Sequence, residues 1–279
     1  MNKLKKKLSR HLIVLCLLLG TSPLHSLSFN YAQPFALNPV NEGIQLGLGT
    51  ALSGSAIVFD KIVKIKKNNY DPAEYDKKDI PDLDMLFARP YSKGLHITGT
   101  VTCGLALMTP ALFGILPSNE WLTIGVMYAE TLLFANGIKE WIKLTVYRAR
   151  PYMYFDNYPQ KKVDDGDWNC SFPSGHTTLA FSGAAFTTMV FCQCFPDSKW
   201  KYAVAGASFG IATLTGALRM ASGNHFFSDV FAGALIGTIC GIAVPYMHTK
   251  DFYSKFEVNR HGSTELSFTP AGINLAFSF

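Results

Sequence analysis

Three short stretches of this 279-residue chain carry side chains suited to holding an anion and moving a proton. The first runs from Lys143 to Pro151 and includes Arg148 and Arg150. The second is Phe172, Pro173, Ser174, Gly175 and His176, and the third runs from Arg219 through Asn224 and His225 to Asp229. Each lies where a long apolar segment ends or begins. That repeated placement points to a catalytic site built at the ends of a helix bundle.

Each stretch has its own chemistry. Pro173, Ser174, Gly175 and His176 open an apolar segment, so Ser174 is expected as the N-cap of a helix whose free first-turn amides face an anion. Lys143 and Arg150 are seven residues apart, two turns along one face if the helix extends that far, with Pro151 stopping it and Arg148 nearby. Taken alone, such a basic cluster more often anchors a helix end at a membrane interface. His225 and Asp229 are four apart and share a helical face, Arg219 ends the preceding segment, and Asn224 is expected to cap the next. A carboxylate so placed can hold the imidazole in one tautomer and support positive charge on it, as a nucleophilic or proton-transferring histidine requires. A lone pair at this spacing is usually structural. Here an arginine precedes it and a second histidine opens another helix.

Apolar segments must position these groups. Gly94–Leu116, Trp121–Ile142, Thr177–Phe195, Tyr202–Leu218 and Val230–Met247 have the length of membrane-spanning helices, about 17 to 25 residues. Apart from His96, all but the second lack charged or titratable basic and acidic side chains. Glu130, inside the second, is either a functional group facing the bundle or a structural hydrogen-bonding partner. Gly43–Phe59 is a marginal sixth segment. The expected fold is an all-α membrane bundle of five to six apolar helices, and a soluble helical protein is the alternative at a mean hydropathy of only +0.15. Ahead of the bundle, basic residues 3–10 and the apolar run from Leu12 to Gly20 read as a signal peptide over residues 1–26. Residues 27–93 form an N-terminal segment and a charged connection, in which Asp82–Tyr91 is a short helix candidate. The core covers 94–249. In the tail, 250–279, alternating Leu266 and Phe268, then Ile273, Leu275 and Phe277, suggest a short β-hairpin.

Composition narrows the function. The chain is 48% hydrophobic and 16% charged with a net charge of +5, and its lysines are interleaved with acids, which argues against nucleic acid. Cys103, Cys192, Cys194 and Cys240 lie in apolar segments, and the cysteines form no disulfide or metal pattern. No cofactor is implied.

In order, Lys-x6-Arg-Pro, Pro-Ser-Gly-His and Arg-x5-His-x3-Asp resemble the three-part signature of the type 2 phosphatidic acid phosphatase superfamily. That superfamily includes lipid phosphate phosphatases, bacterial nonspecific acid phosphatases and vanadium haloperoxidases. The resemblance covers about Gly94–Met247. It implies that Lys143, Arg150 and Arg219, with Ser174 and the amide of Gly175, bind the phosphoryl oxygens. It also implies that His225, oriented by Asp229, attacks phosphorus, and that His176 protonates the leaving alkoxide. Leu218 stands where the family commonly has serine, which puts a local hydrogen bond near the phosphate in doubt. Three cations and a helix N-terminus can supply the charge stabilisation that phosphoryl transfer needs without a metal, and no surplus carboxylates suggest magnesium. His96, His248 and His261 have no part in this reading. The expected activity is hydrolysis of a phosphorylated membrane lipid through a phosphohistidine, with a soluble periplasmic acid phosphatase, or a channel or transporter, as alternatives. The expected location is the membrane of a bacterial-type envelope, its site facing the periplasm.

Overall fold

The computed structural model describes residues 31–63, 75–258, 264–269 and 272–277. The expected signal peptide and His261 lie outside them, as do residues 64–74 of the charged connection. Among the described residues the long helices are α1 Pro39–Val63, α2 Lys93–Leu107, α3 Ser118–Thr145, α4 Gly175–Cys194, α5 Trp200–Ala221 and α6 Phe227–Met247. A short α7, Lys250–Val258, follows, and then β1 Thr264–Thr269 pairs antiparallel with β2 Gly272–Phe277, with Leu266 opposite Leu275.

Two expected elements come out differently. The segment from Gly94 to Leu116 is not one α-helix, because α2 ends at Leu107 and the chain continues as a 3-10 stretch, Thr109–Ile115. Pro110 has no amide hydrogen to continue the α ladder. Asp82–Tyr91 shrinks to the single turn Asp82–Met85, with Pro90 downstream.

Helix α4 lies at the centre, packed on α2, α3, α5 and α6. Its close approach to α6 rests on Gly233, Gly237 and Gly241, spaced four apart. A Cβ on Gly233 would come within 2.7 Å of the Ser174 carbonyl oxygen, and one on Gly241 within 2.7 Å of Ala185 Cβ. Between helices in lipid, where tails are as apolar as leucine, such backbone proximity and dispersion supply much of the attraction. Three α4 hydroxyls are returned to their own helix: Thr178 donates to Ser174 O (3.0 Å), Ser182 to Thr178 O (2.8 Å) and Thr187 to Gly183 O (2.8 Å). No water is then needed to satisfy them in the interior.

Three stretches, Lys93–Ile115, Trp200–Ala221 and Phe227–Met247, are long and apolar enough to cross a membrane. Their outer faces carry exposed Ile97, Val101, Leu105, Leu214, Phe231, Leu235 and Ile239. So much contiguous apolar surface suits lipid, not water. Helices α3 and α4 are less apolar for a physical reason: neighbouring helices cover much of their surface, so they can hold Glu130, Lys139 and a run of threonines and serines. Helix α1 runs parallel to α3. Ser53 donates to Leu133 O, the Trp141 indole donates to Leu52 O, and Phe59 meets the Trp141 ring further along.

One end of this bundle gathers the start of α2, the C-terminal ends of α3 and α5, and the N-terminal ends of α4 and α6. The connection from α3 to α4 closes over that end on its own small core of Ala149, Tyr152, Met153 and Trp168.

Candidate active site

Arg150 is placed by this connection rather than by a helix. Helix α3 stops at Thr145, so Lys143 and Arg150 do not share a helical face as the seven-residue spacing suggested. Backbone pairing across the loop wins instead: Ser171 N–H donates to Arg148 O (3.0 Å) and Arg150 N–H to Trp168 O (2.7 Å). Arg150 is buried. Its Nε donates to Asp167 O (2.6 Å), one Nη to the Asp167 carboxylate (2.7 Å) and the other to Asn224 O (2.9 Å). Lys162 also pairs with Asp167, at 3.2 Å. Burial pushes the Asp167 carboxyl up, but Arg150 and Lys162 more than offset this and hold it below its ordinary value.

The turn between α5 and α6 sets His225. Gly223 has φ of 68°, and a Cβ there would stand 2.5 Å from the Arg89 carbonyl oxygen, so only glycine fits. Asn224 does not cap α6. Its amide group donates to the Ser222 hydroxyl (2.7 Å), and the Asp229 carboxylate takes the cap role by accepting from Phe226 N–H (2.8 Å).

His225 is buried, with Nδ1 2.8 Å from the carbonyl oxygen of Ser171. A carbonyl can only accept, so Nδ1 carries the hydrogen and Nε2 keeps its lone pair. Nε2 lies 3.1 Å from an Nη of Arg150, which donates to it. Burial first, then the fields of Arg150, Arg219 and Lys143, keep the imidazole well below its ordinary pKa and therefore neutral. Asp229 does not bond Nδ1 directly as the four-residue spacing implied. It stands 3.6 Å away and accepts instead from the Ser171 hydroxyl (2.5 Å) and Arg148 (2.6 Å).

Around His225 stand the other groups singled out from sequence. Lys143 Nζ lies 3.3 Å from where a Cβ of Gly175 would be, at the mouth of α4. Ser174 occupies the N-cap position, but its hydroxyl meets Thr177 Oγ1 (2.9 Å) rather than a backbone amide. His176 is in the first turn of α4, its Nε2 3.3 Å from Thr100 Oγ1. Buried Arg219 places an Nη 3.0 Å from His96 Nδ1. Among the described residues neither Lys143 nor Arg219 has a carboxylate partner.

Arg148 is the exception. It turns away from the cation group to bridge Asp84 (2.5 Å) and Asp229 (2.6 Å), and Ser228 donates to Asp84 as well (2.7 Å). Asp84, His96, Asp167 and Ser171 were not anticipated. Asp84 and Asp167 sit in acid-rich loops that look merely solvated, His96 in an apolar segment, and Ser171 contributes chiefly through its backbone.

Residues 124–253 match the family model described as the PAP2 superfamily. Lipid A 1-phosphatase of Porphyromonas gingivalis is 39% identical over 77 residues, 28% of this chain and 16% of that protein. Lipid phosphate phosphatase 1 of Arabidopsis thaliana is 29% identical over 136 residues, 42% of this chain and 41% of that protein. The chain thus spans less than half the length of either relative. The crystal structure of Aquifex aeolicus LpxE is similar with a TM-score of 0.42 and 24% identity, covering 60% of this chain and 96% of that one. The matched region holds the three clusters that meet around His225, and over that region the chain is similar to the PAP2 superfamily.

Proposed function

We propose that the protein is a membrane phosphatase that hydrolyses a phosphate monoester or diphosphate of a lipid through a phosphohistidine. The observation that carries this reading is the pairing of two cations with no carboxylate partner among the described residues, Lys143 and Arg219, with a neutral histidine whose Nε2 keeps its lone pair and faces the Arg150 guanidinium. An unpaired cation is costly where it is buried, as Arg219 is, and less so for the half-buried Lys143. A bound phosphoryl group offsets that cost, and the N-terminus of α4 adds a further favourable field for an anion.

In the proposed reaction Lys143, Arg150, Arg219, Ser174 and the Gly175 amide hold the equatorial oxygens. As phosphate takes over the Arg150 donor, His225 Nε2 forms a bond to phosphorus and the bond to the lipid oxygen breaks, with His176 giving that oxygen a proton. Burial and the cations keep His176 neutral in the empty site, and it takes up this proton when the bound phosphate dianion offsets their field. The Nδ1 hydrogen stays on the ring, against Ser171 O, and the phosphorylated imidazolium is balanced by Asp229. A water deprotonated by His176 then attacks phosphorus and restores His225. Charge neutralisation comes from the cations, so the chemistry at this site needs no metal.

The names of the relatives, lipid A 1-phosphatase and lipid phosphate phosphatase, support a lipid substrate, as does a site at the end of membrane-crossing helices. We place that end on the periplasmic side, following the usual outward-facing site of the resembled family. Labelling of an Asp165→Cys variant by an impermeant thiol reagent in spheroplasts tests the orientation.

The decisive experiment is phosphate release by the detergent-purified protein from phosphatidic acid, a phosphatidylglycerol phosphate, a polyprenyl diphosphate and lipid A. At least one should turn over, and His225→Ala should abolish both turnover and trapping of an acid-labile phosphoenzyme. Release from none, or activity surviving in His225→Ala, ends the reading.

A further inference from the structure

At the other end of α6, about 30 Å along its axis from Asp229, a second group of titratable side chains takes no part in this chemistry. His248 follows the last turn of α6, Glu42 lies in the first turn of α1, and Glu130 lies within α3. Their ligand atoms lie within 4.8 Å of one another. His248 Nε2 is 2.8 Å from Glu42 Oε2 and 3.1 Å from Glu130 Oε2. Glu130 and His248 are fully buried and Glu42 is 8% exposed.

Three features distinguish this group from an ordinary ion pair. His248 Nδ1 is 2.8 Å from Val244 O, which fixes the hydrogen on Nδ1 and turns Nε2 into the cluster, as in a metal-bound histidine. Both Glu130 carboxylate oxygens are buried and neither makes a hydrogen bond, the His248 approach lacking the geometry for one. Glu42 keeps only one oxygen for the cluster, because Oε1 accepts from Asn38 N–H at 3.0 Å. Two ionised carboxylates with an imidazolium leave a net negative charge in the interior, and among the described residues no lysine or arginine pairs with either acid. A divalent cation with a neutral imidazole brings the sum to zero.

We propose that Glu42, Glu130 and His248 bind a divalent transition-metal ion of the zinc type. One nitrogen and two carboxylate oxygens suit that class, with water in a fourth position. The ion ties α1, α3 and the end of α6 together at the face opposite the phosphate site, where it takes no part in catalysis.

The test uses the full chain purified in detergent with any affinity tag removed. Elemental analysis should find about one zinc per chain after dialysis against Zn2+, and cobalt substitution should give visible d–d bands. Chelation should lower Tm by several degrees and Zn2+ restore it, while turnover of an aryl phosphate measured well below Tm stays unchanged. Glu130→Gln and, nearer the surface, Glu42→Gln should each lose the ion and the response of Tm to zinc. Substoichiometric metal with no cobalt bands and a Tm indifferent to chelator and zinc would overturn the proposal, leaving a carboxyl pair that shares a proton. Loss of aryl phosphate turnover on chelation, with Tm unmoved, would instead count against the metal-free reading of the catalytic site.

Discussion

His225 and Asp229 are joined through Ser171, whose carbonyl oxygen lies 2.8 Å from His225 Nδ1 and whose hydroxyl donates to Asp229 at 2.5 Å. The tautomer of His225, the proposed nucleophile, is thus set by a backbone group. Where a carboxylate sets it, as in serine-protease triads, Asp-to-Asn substitution lowers kcat by ~10^4. Here Asp229 contributes charge at 3.6 Å and leaves the tautomer alone. Asp229→Asn should therefore lower kcat by roughly 10- to 100-fold, about 1.4 to 2.7 kcal/mol. Ser171→Ala, which keeps the carbonyl, should cost less. A loss near 10^4 in Asp229→Asn would show that the carboxylate controls the tautomer after all.

Arg148 neutralises two acids at once, so its removal should be felt in folding before catalysis. Arg148→Ala leaves Asp84 and Asp229 buried and unbalanced. Breaking a buried pair costs ~3 to 5 kcal/mol. With the Arg148 side chain 22% exposed, partial screening should bring this to about 2 to 4 kcal/mol. Arg148→Lys should recover little, since a single ammonium cannot span both carboxylates as the guanidinium fork does. Adding Asp84→Asn to Arg148→Ala should restore part of the lost Tm. No recovery in the double variant would refute the electrostatic account.

The buried neutral His225 also makes stability sensitive to acid. Its folded pKa lies well below the ordinary 6.5, whereas the unfolded chain binds a proton there near 6.5. As pH falls below 6.5 the unfolded state takes up the proton and the folded state does not, so stability declines by ~1.4 kcal/mol per pH unit until the folded group titrates. Above pH 7 the contribution is constant. His225→Asn should lose less Tm between pH 7 and 5.5 than the unsubstituted protein does. Parallel Tm curves would place the His225 pKa near its ordinary value.

The positions of the cations were legible because each motif sits at a helix end, and helix ends follow from apolar periodicity. Their geometry was less so. Seven-residue spacing put Lys143 and Arg150 on one helix, but pairing of Arg148 and Arg150 with the strand-like segment from Trp168 to Ser171 ends the helix first. That pairing is non-local and leaves no periodic trace. Asp84 is invisible for the same reason, meeting Arg148 from 64 residues away. The break in α2 was readable, since Pro110 stands inside the apolar segment.

Leaving-group dependence separates the two histidines by role. His176 opens α4 with Nε2 3.3 Å from the Thr100 hydroxyl, whereas His225 has its Nδ1 hydrogen committed to Ser171 and its lone pair turned toward the cations. In the proposed reaction the first gives up a proton and the second attacks. General acid help is worth ~10^2 to 10^4-fold when the leaving group is a poor anion, and less when it departs readily. His176→Ala should therefore lose far more kcat/KM toward an alkyl or lipid phosphate than toward an aryl phosphate with an acidic phenol. Comparing the two substrates in one variant cancels any shared defect in phosphate binding. His225→Ala should lose both alike, because the nucleophile is needed whatever departs. Equal losses in His176→Ala would reject the acid role and leave His176 as a ligand of the phosphate.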